Sequence, residues 1–134
     1  MEQVILDTDI LSFILRQHPA VLPKARTYLV THRQFTFTII TRYEVLRGLK
    51  AKNALQQIAN FERLCNVSTV LPLTDEVVVE AANIYAYLKN HGMLIMDADI
   101  LIAASAIVRG MKVITNNENH FRRIPNLQMG NWMQ

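Results

Sequence analysis

Cysteine, glycine and proline are scarce in this 134-residue sequence, which contains one Cys, four Gly and four Pro. Because Cys65 is the only cysteine, an internal disulfide and a thiolate metal site are both excluded. The few Gly and Pro residues, together with a hydrophobic fraction of 51%, exclude a disordered or low-complexity chain. The composition therefore predicts a globular protein of a reducing compartment.

Long hydrophobic runs are also absent. No window approaches the roughly 18 uninterrupted apolar residues that a membrane span needs, and residues 1–3 lack the basic start of a signal peptide. We therefore expect a cytoplasmic location and no membrane partner. A chain of 134 residues is long enough for one hydrophobic core and too short for two. We expect a single domain over residues 1–134.

The charged residues that are present show a modest positive excess. Fourteen Lys and Arg side chains face eleven Asp and Glu side chains, which gives a net charge of +3. Such an excess attracts phosphate groups, although short charge runs are more often solvated helix faces. Four arginines border the acidic positions described below and are candidates to bind a nucleic-acid backbone. They are Arg42, Arg47, Arg122 and Arg123.

Hydrophobic segments alternate between strand and helix patterns along the chain. Strands are predicted over residues 3–6, 35–39, 67–71 and 112–115, and helices over residues 9–16, 20–31, 54–64, 74–91 and 100–108, with a further helix from 41 onward. Pro72 places the third strand at or near an edge of the sheet. A short helical turn over residues 116–121 and a last edge strand near Trp132 complete the pattern. Strands that alternate with helices predict an α/β fold whose mostly parallel sheet is covered on both faces.

Acidic or amide side chains follow several of these hydrophobic runs. They are Asp7, Asp9, Glu44, Asp97, Asp99, Asn116 and Asn117. In a parallel α/β sheet the carboxyl ends of the strands lie along one edge, so these side chains should meet there. Several carboxylates in one crevice repel each other unless a hard cation lies among them. The pattern therefore predicts a site for Mg²⁺, with Mn²⁺ as a substitute.

Helix capping is the structural alternative for each acidic position. Asp7 could cap the helix after the first strand, as could Asp9. Glu44 lies three residues after Thr41, which is the spacing of a capping box. Asp97 could cap the helix that follows it, and Asp99 would then be its second residue. Helix capping accounts for each acidic residue taken singly. A bound cation also accounts for the expected clustering of all of them at one edge of the sheet.

The four histidines are scattered along the sequence, and three of them are expected at the surface. His120, near the asparagine pair, is the weak exception. A cluster of oxygen donors without His or Cys suits Mg²⁺ or Mn²⁺ better than structural zinc.

Taken together, the segments 5–9, 43–45, 99–106 and 115–127, with Trp132, resemble the PIN domain, and in particular its VapC toxin branch of type II toxin–antitoxin systems. The similarity extends over essentially the whole chain and depends on the order and spacing of the motifs. It implies a three-layer α/β/α PIN-like fold with a mostly parallel central sheet. It also implies an endoribonuclease that uses Mg²⁺ or Mn²⁺ and a metal-activated water, with an RNA substrate, a VapB-type antitoxin and a homodimer as partners.

The resemblance assigns roles to individual residues. Asp7, Glu44 and Asp99 match the acidic metal-binding positions of the family. Asn117 matches a fourth position that is Asp in many relatives; its amide oxygen can still bind a metal but adds no charge. Asp9 matches a position that is often Asn, so it restores part of that charge. Asp97 remains a weak additional metal candidate.

Three other functions compete with a nuclease. The segment Asp7-Thr8-Asp9 also fits the nucleophile motif of a haloacid-dehalogenase-like phosphatase, but the tail after Thr115 lacks the Lys and the acidic pair of that family. A phosphoacceptor receiver domain would need an Asp at the end of a central strand, where Thr41 stands. A catalytically weak or silent PIN-fold binding protein remains open because Asn117 carries no charge.

Overall fold

The computed structural model describes residues 2–134, and within them five short strands alternate with seven helices. The strands are β1 (Val4–Leu6), β2 (Thr36–Thr38), β3 (Thr69–Leu71), β4 (Lys112–Ile114) and β5 (Met129–Gly130). The helices are α1 (Thr8–Leu15), α2 (Leu22–His32), α3 (Ile39–Ala51), α4 (Leu55–Asn66), α5 (Asp75–Asn90), α6 (Asp97–Arg109) and α7 (Glu118–Phe121).

Strand β1 separates two hydrophobic cores. Successive side chains of a strand point to opposite faces, and Ile5 accordingly packs with α5, α6 and α7, whereas Val4 and Leu6 pack with α1 to α4. All three β1 side chains are buried. The result is a sheet between two helical layers, which confirms the predicted three-layer α/β/α fold.

Every strand pair in the sheet is parallel. Strand β4 lies between β1 and β5 in one ladder, and β2 pairs with β3 in the other. The two ladders adjoin where β1 packs beside β2. Among residues 2–134, β3 pairs only with β2 and β5 only with β4, so the two edge strands that the sequence predicts are confirmed. The carboxyl ends of β1 and β4 are neighbours, because Leu6 is in register with Ile114.

Helix α3 begins two residues earlier than predicted. Thr38 is its N-cap, and the Thr38 hydroxyl accepts a hydrogen bond from the Thr41 backbone N–H at 3.2 Å. The predicted capping box of Thr41 and Glu44 is therefore wrong. Glu44 lies in the second turn of the helix, so its carboxylate is available for another role.

Helix α6 begins at Asp97, so the predicted N-cap role of Asp97 is also wrong. The N-cap is Met96, whose side chain makes no capping bond, and Asp99 is the third helical residue rather than the second. Gly110 ends the helix at φ +63°, because glycine adopts this left-handed conformation without strain. Although α6 is strongly apolar, no helix within residues 2–134 is long and apolar enough to cross a membrane.

Candidate active site

Asp7 lies at the junction of β1 and β4. Its backbone N–H donates to the Ile114 carbonyl at 2.9 Å, and its carboxylate accepts from the Thr8 N–H at 2.8 Å and from the Thr115 hydroxyl at 2.8 Å. The Thr8 bond makes Asp7 the N-cap of α1. Only 4% of the residue is exposed. The capping interpretation is thus confirmed, and it coexists with a position deep in the predicted cluster.

The surroundings of Asp7 disfavour its negative charge. Burial is the main cause, and the neighbouring carboxylate of Asp9 adds to it; together they raise the pKa of Asp7 to about 8. The charge of Asp99 acts in the same direction, whereas the bonds from Thr115 and Thr8 lower the pKa. A cation bound among these carboxylates would lower the pKa of Asp7 again.

Asp9 joins α1 to the loop after β4. One of its carboxylate oxygens accepts from the Ile10 N–H at 2.7 Å, and the other accepts from the Asn116 N–H at 3.0 Å. Burial raises the pKa of Asp9, these two backbone bonds lower it, and the charge of Asp99 raises it further. Asp99 therefore interacts through its charge with Asp7 and Asp9 although it is far from both of them in the sequence.

A second group of polar atoms forms around Asp99. Its Oδ2 atom lies 3.4 Å from Asn117 Nδ2 and 3.1 Å from His120 Nδ1, and these two nitrogens are 2.8 Å apart. The Asp99 side chain is 13% exposed and that of His120 is 35% exposed. His120 is thus a site residue to which the sequence analysis gave no role. The available signal was its position three residues after Asn117 on a helical turn.

Glu44 reaches the cluster through Thr8. The Thr8 hydroxyl donates to Glu44 Oε1 at 2.6 Å and lies 3.0 Å from the Thr41 hydroxyl. Arg47, one turn along α3, lies 3.6 Å from Glu44 Oε2. The Glu44 side chain is 14% exposed, so it is held at the rim of the site. Asp97, in contrast, is exposed on the first residue of α6, and its weak assignment as a metal ligand stays a prediction.

The four candidate arginines occupy different surroundings. Arg42 forms a two-pronged ion pair with Glu62 on α4. Arg47 stacks over the Tyr43 ring, with its side chain 54% exposed. Arg42 is therefore already occupied by a carboxylate, whereas Arg47 borders the acidic cluster.

Two arginines follow α7. The Arg122 side chain is 64% exposed and lies 3.9 Å from Glu118. Arg123 donates to the carbonyl oxygens of Met93 and Leu94 at 3.4 and 3.3 Å. Arg123 thus anchors the loop before α6, whereas Arg122 is mostly exposed and contacts Asn119 and Glu118 of its own turn. For all four, RNA binding stays a prediction.

The C-terminal tail supports the loop after β4, which the sequence analysis did not foresee. Asn131 Nδ2 donates to Asn116 Oδ1 and to Glu118 Oε2, each at 3.0 Å. Asn131 Oδ1 accepts from the Met133 N–H at 2.9 Å, and Gln134 donates to Glu118 at 3.2 Å. The tail is therefore hydrogen-bonded to the loop whose backbone binds Asp9.

Comparison with known proteins shows the family of the chain. The family model of the PIN domain matches residues 4–127, which is most of the chain. The chain belongs to the PIN-domain family.

Several VapC proteins are similar to this PIN domain in sequence. Ribonuclease VapC1 of Methanocaldococcus jannaschii is 34% identical over 87 residues, which are 65% of this chain and 62% of that protein. Ribonuclease VapC1 of Haemophilus influenzae strain R2866 is 27% identical and covers 95% of this chain and 96% of its own. The tRNA(fMet)-specific endonuclease VapC of Salmonella typhimurium is 29% identical, with coverages of 98% and 99%. The resemblance to VapC proteins stated from the sequence is confirmed.

Solved structures share the fold of this PIN domain. The DNA-bound VapBC of Salmonella typhimurium superposes with a TM-score of 0.86 at 26% identity, and covers 98% of this chain and 99% of that chain. VapBC2 of Rickettsia felis, bound to a DNA fragment from its promoter, superposes with a TM-score of 0.87 at 23% identity, with coverages of 98% and 99%. The phosphatase alternative rested on the motif of another family and is set aside.

The donors in this PIN domain suit a hard divalent cation. Within residues 2–134 no three His, Cys, Asp or Glu side chains are close enough to form a ready metal-binding group. The carboxylates of Asp7, Asp9 and Asp99 nevertheless interact, because the charges of Asp9 and Asp99 add to burial in raising the pKa of Asp7. Carboxylate and amide oxygens are the ligands that Mg²⁺ and Mn²⁺ prefer. The chemistry of the donors therefore fits the cation.

Proposed function

We propose that this protein is a metal-dependent endoribonuclease of the VapC type, the toxin of a type II toxin–antitoxin pair. The observation that carries the proposal is the burial of interacting carboxylates where β1 and β4 end, beside α6. Such carboxylates destabilise a fold unless they bind a cation, and open α/β sheets bind their ligands at the carboxyl ends of the strands. The VapC relatives named above support RNA as the substrate.

In this proposal Asp7, Asp99 and Glu44 are catalytic residues that hold Mg²⁺ or Mn²⁺, with Asp9 and Asn117 as weaker contributors. When bound, such a cation lowers the pKa of water and stabilises charge on a phosphate oxygen. Mg²⁺ is the expected resident ion, and Mn²⁺ can substitute for it. The number of cations depends on Asn117 and Asp9.

Neighbouring residues orient these carboxylates. The Thr115 hydroxyl and the Thr8 N–H each occupy one oxygen of Asp7, which fixes the plane of the carboxylate. The Thr8 hydroxyl fixes Glu44 in the same way, and the Asn116 N–H fixes Asp9. Ligands that are held by such partners bind metal more tightly than free side chains do.

RNA would approach over the basic residues beside the cluster. Of the four arginines, Arg47 and Arg122 have side chains that are more than half exposed. Arg42 is paired with Glu62, and Arg123 donates to the Met93 carbonyl. Arg side chains bind phosphate oxygens in pairs of hydrogen bonds and carry no sequence preference by themselves. Target choice would then depend on the shape of the RNA.

A VapB-type antitoxin is the proposed protein partner. Several of the structural neighbours are VapBC complexes. A groove lined by Leu15, Val45 and Leu49 runs between α1 and α3 and continues to Glu44. A segment bound there would lie beside the cluster and obstruct it. The predicted homodimer and the cytoplasmic location belong to the same proposal.

Cleavage of defined RNAs by the purified protein tests the function. Wild type and Asp99→Asn are compared with Mg²⁺, with Mn²⁺ and with EDTA, because the variant controls for contaminating nucleases. We expect metal-dependent cleavage by the wild type only. Equal cleavage by both proteins would contradict the assignment.

Absence of cleavage with any metal would favour the second candidate, a catalytically silent PIN-fold binding protein. The specific observation on its side is Asn117, which contributes no charge beside Asp99. Retained antitoxin binding by such an inactive protein would establish it.

A further inference from the structure

Three polar side chains of the site meet around one point. Asp99 Oδ2, His120 Nδ1 and the Asn117 amide form a triangle with edges of 3.1, 2.8 and 3.4 Å. Two ligands at right angles on an octahedral ion, with bonds of about 2.1 Å, lie about 3 Å apart. The triangle therefore has the size of one face of an octahedral metal site.

With the Asn117 amide in its present orientation, His120 Nδ1 cannot satisfy both Asn117 and Asp99 by hydrogen bonds. A ring nitrogen of histidine either donates one hydrogen bond or accepts one. If His120 Nδ1 accepts from the Asn117 amide, its lone pair and the Asp99 carboxylate face each other with no proton between them. If His120 Nδ1 instead donates to Asp99, its N–H lies against an N–H of the Asn117 amide, and two donors face each other. Rotation of the Asn117 amide by about half a turn would direct its oxygen to the same point. The oxygen could then accept from the His120 N–H or, together with the Nδ1 lone pair and Asp99, bind a cation.

We propose that His120 is a metal ligand through Nδ1, together with Asp99 Oδ2 and the Asn117 amide oxygen, and that it makes the site selective for Mn²⁺ over Mg²⁺. Imidazole nitrogen binds transition-metal ions well, whereas Mg²⁺ prefers oxygen ligands. The inference rests on the proposed function, because the same cluster is the proposed metal centre. It adds a residue to the site and predicts that Mn²⁺ binds more tightly than the expected resident Mg²⁺ when both ions are offered at equal concentration.

The fold holds His120 in place for this role. Helix α7 begins directly after Asn117, and Phe121, the residue after His120, is 1% exposed in the core. The tail residue Asn131 binds Glu118 at the start of the same helix. His120 is therefore fixed from both sides rather than carried on a free loop.

Electron spin-echo spectroscopy of bound Mn²⁺ tests the ligand directly, because a coordinated imidazole gives a nitrogen coupling. The wild type, His120→Gln and the control His18→Gln are compared. His18 follows the end of α1 opposite to Asp7, and its Nδ1 accepts from the Ala20 N–H. We expect the coupling in the wild type and in His18→Gln, and its loss in His120→Gln.

Calorimetric titration of the same proteins with Mn²⁺ and with Mg²⁺ measures the selectivity. We expect His120→Gln to bind Mn²⁺ on the order of tenfold more weakly with a smaller change for Mg²⁺. His120→Glu, which restores an oxygen donor, should bind both ions and lose the preference for Mn²⁺.

The outcomes separate this inference from the proposed function. If Mn²⁺ binds to the wild type and is lost in Asp99→Asn, but no nitrogen coupling depends on His120, the inference fails and the metal centre remains. If neither ion binds to the wild type, both fail.

Discussion

At the residue scale, Asp7 combines two roles that the sequence analysis treated as alternatives. Its carboxylate caps α1 through Thr8 and accepts the Thr115 hydroxyl, so both oxygens have structural partners. A carboxylate oxygen has two acceptor positions, and each oxygen therefore keeps one for a cation. Capping fixes the direction in which these remaining lone pairs point.

The buried charge of Asp7 should make the metal-free protein less stable at higher pH. Its pKa in the folded protein is raised from 3.8 to about 8, chiefly by burial. Between these two values the folded protein holds an extra proton, so its stability falls as the pH rises from about 4 to about 8 and then levels off.

Asp7→Asn should remove most of this decline, and the raised pKa of Asp9 leaves a smaller one. The amide can still cap α1 and pair with Thr115. Near pH 8 and with EDTA, we expect the variant to be more stable than the wild type by on the order of a few kcal/mol, and near pH 4 the two should be similar. Urea unfolding at both pH values measures the difference. Lower stability of the variant near pH 8 would mean that Asp7 is only a structural cap.

Thr8 gives a second test at the residue scale, because its hydroxyl is the donor that orients Glu44. We expect Thr8→Val to lower kcat by about tenfold or more with little change in KM, and to change stability by less than about 1 kcal/mol. Thr27→Val is the matched control, since the Thr27 hydroxyl donates only to a backbone carbonyl on the exposed side of α2. Unchanged RNA cleavage in Thr8→Val would remove Thr8 from the site.

At the element scale, the beginnings of the helices determined which residues could act. The sequence placed α3 at Thr41, because the spacing of Thr41 and Glu44 imitates a capping box. The structure begins the helix at Ile39, since Thr38 has the extended backbone and the hydroxyl that a cap needs. Two threonines three residues apart offer two caps, and local sequence does not decide between them. Tertiary packing decides, because β2 ends at Thr38.

The C-terminal tail acts on the site as an element. The Thr115 N–H donates to the carbonyl of Gly130 in strand β5. The next residue, Asn131, donates to the side chains of Asn116 and Glu118. The edge strand itself was predicted, but this support could not be, because it depends on how the Asn131 side chain packs against the loop after β4. The same holds for His120, whose neighbours come from α6 and from the loop after β4.

Removal of the tail contact should weaken the site without unfolding the protein. We expect Asn131→Ala to lower stability by about 1 kcal/mol and to reduce both Mn²⁺ affinity and RNA cleavage several-fold. Gln128→Ala, at an exposed position before β5, is the control and should leave all three unchanged. Unchanged Mn²⁺ affinity in Asn131→Ala would show that the loop after β4 keeps its conformation without the Asn131 contacts.

At the scale of the whole molecule, the excess of positive charge should make the affinity for RNA fall as the salt concentration rises. We expect Arg47→Ala and Arg122→Ala each to reduce the slope of log K against log salt by about 0.7, the value for one phosphate contact on a single strand. Arg26→Ala, at an exposed position on α2, should leave the slope unchanged. Binding to an uncleaved RNA analogue over a range of salt concentrations measures this. Equal slopes for all four proteins would move the RNA path away from these arginines.

The parallel sheet explains why much of the site could be predicted. Asp7 and Asn117 are far apart in sequence, yet both follow strands that pair in register, so their meeting depends only on the strand assignment. The place of Asp99 could not be predicted from the strand assignment alone, because this residue lies on α6 rather than at the end of a strand. Asp97, two residues earlier, points to solvent instead. Sequence spacing does not distinguish the two, since the start of a helix fixes which of them faces the sheet.

Calorimetric titration of Mg²⁺ and Mn²⁺ into the wild type, Asp7→Asn and Asp99→Asn tests most directly whether the acidic cluster is a cation site. The account predicts a binding isotherm for the wild type and strongly weakened binding in both variants, with all three proteins folded. Equal binding by the three proteins, or no binding by any of them, would contradict it.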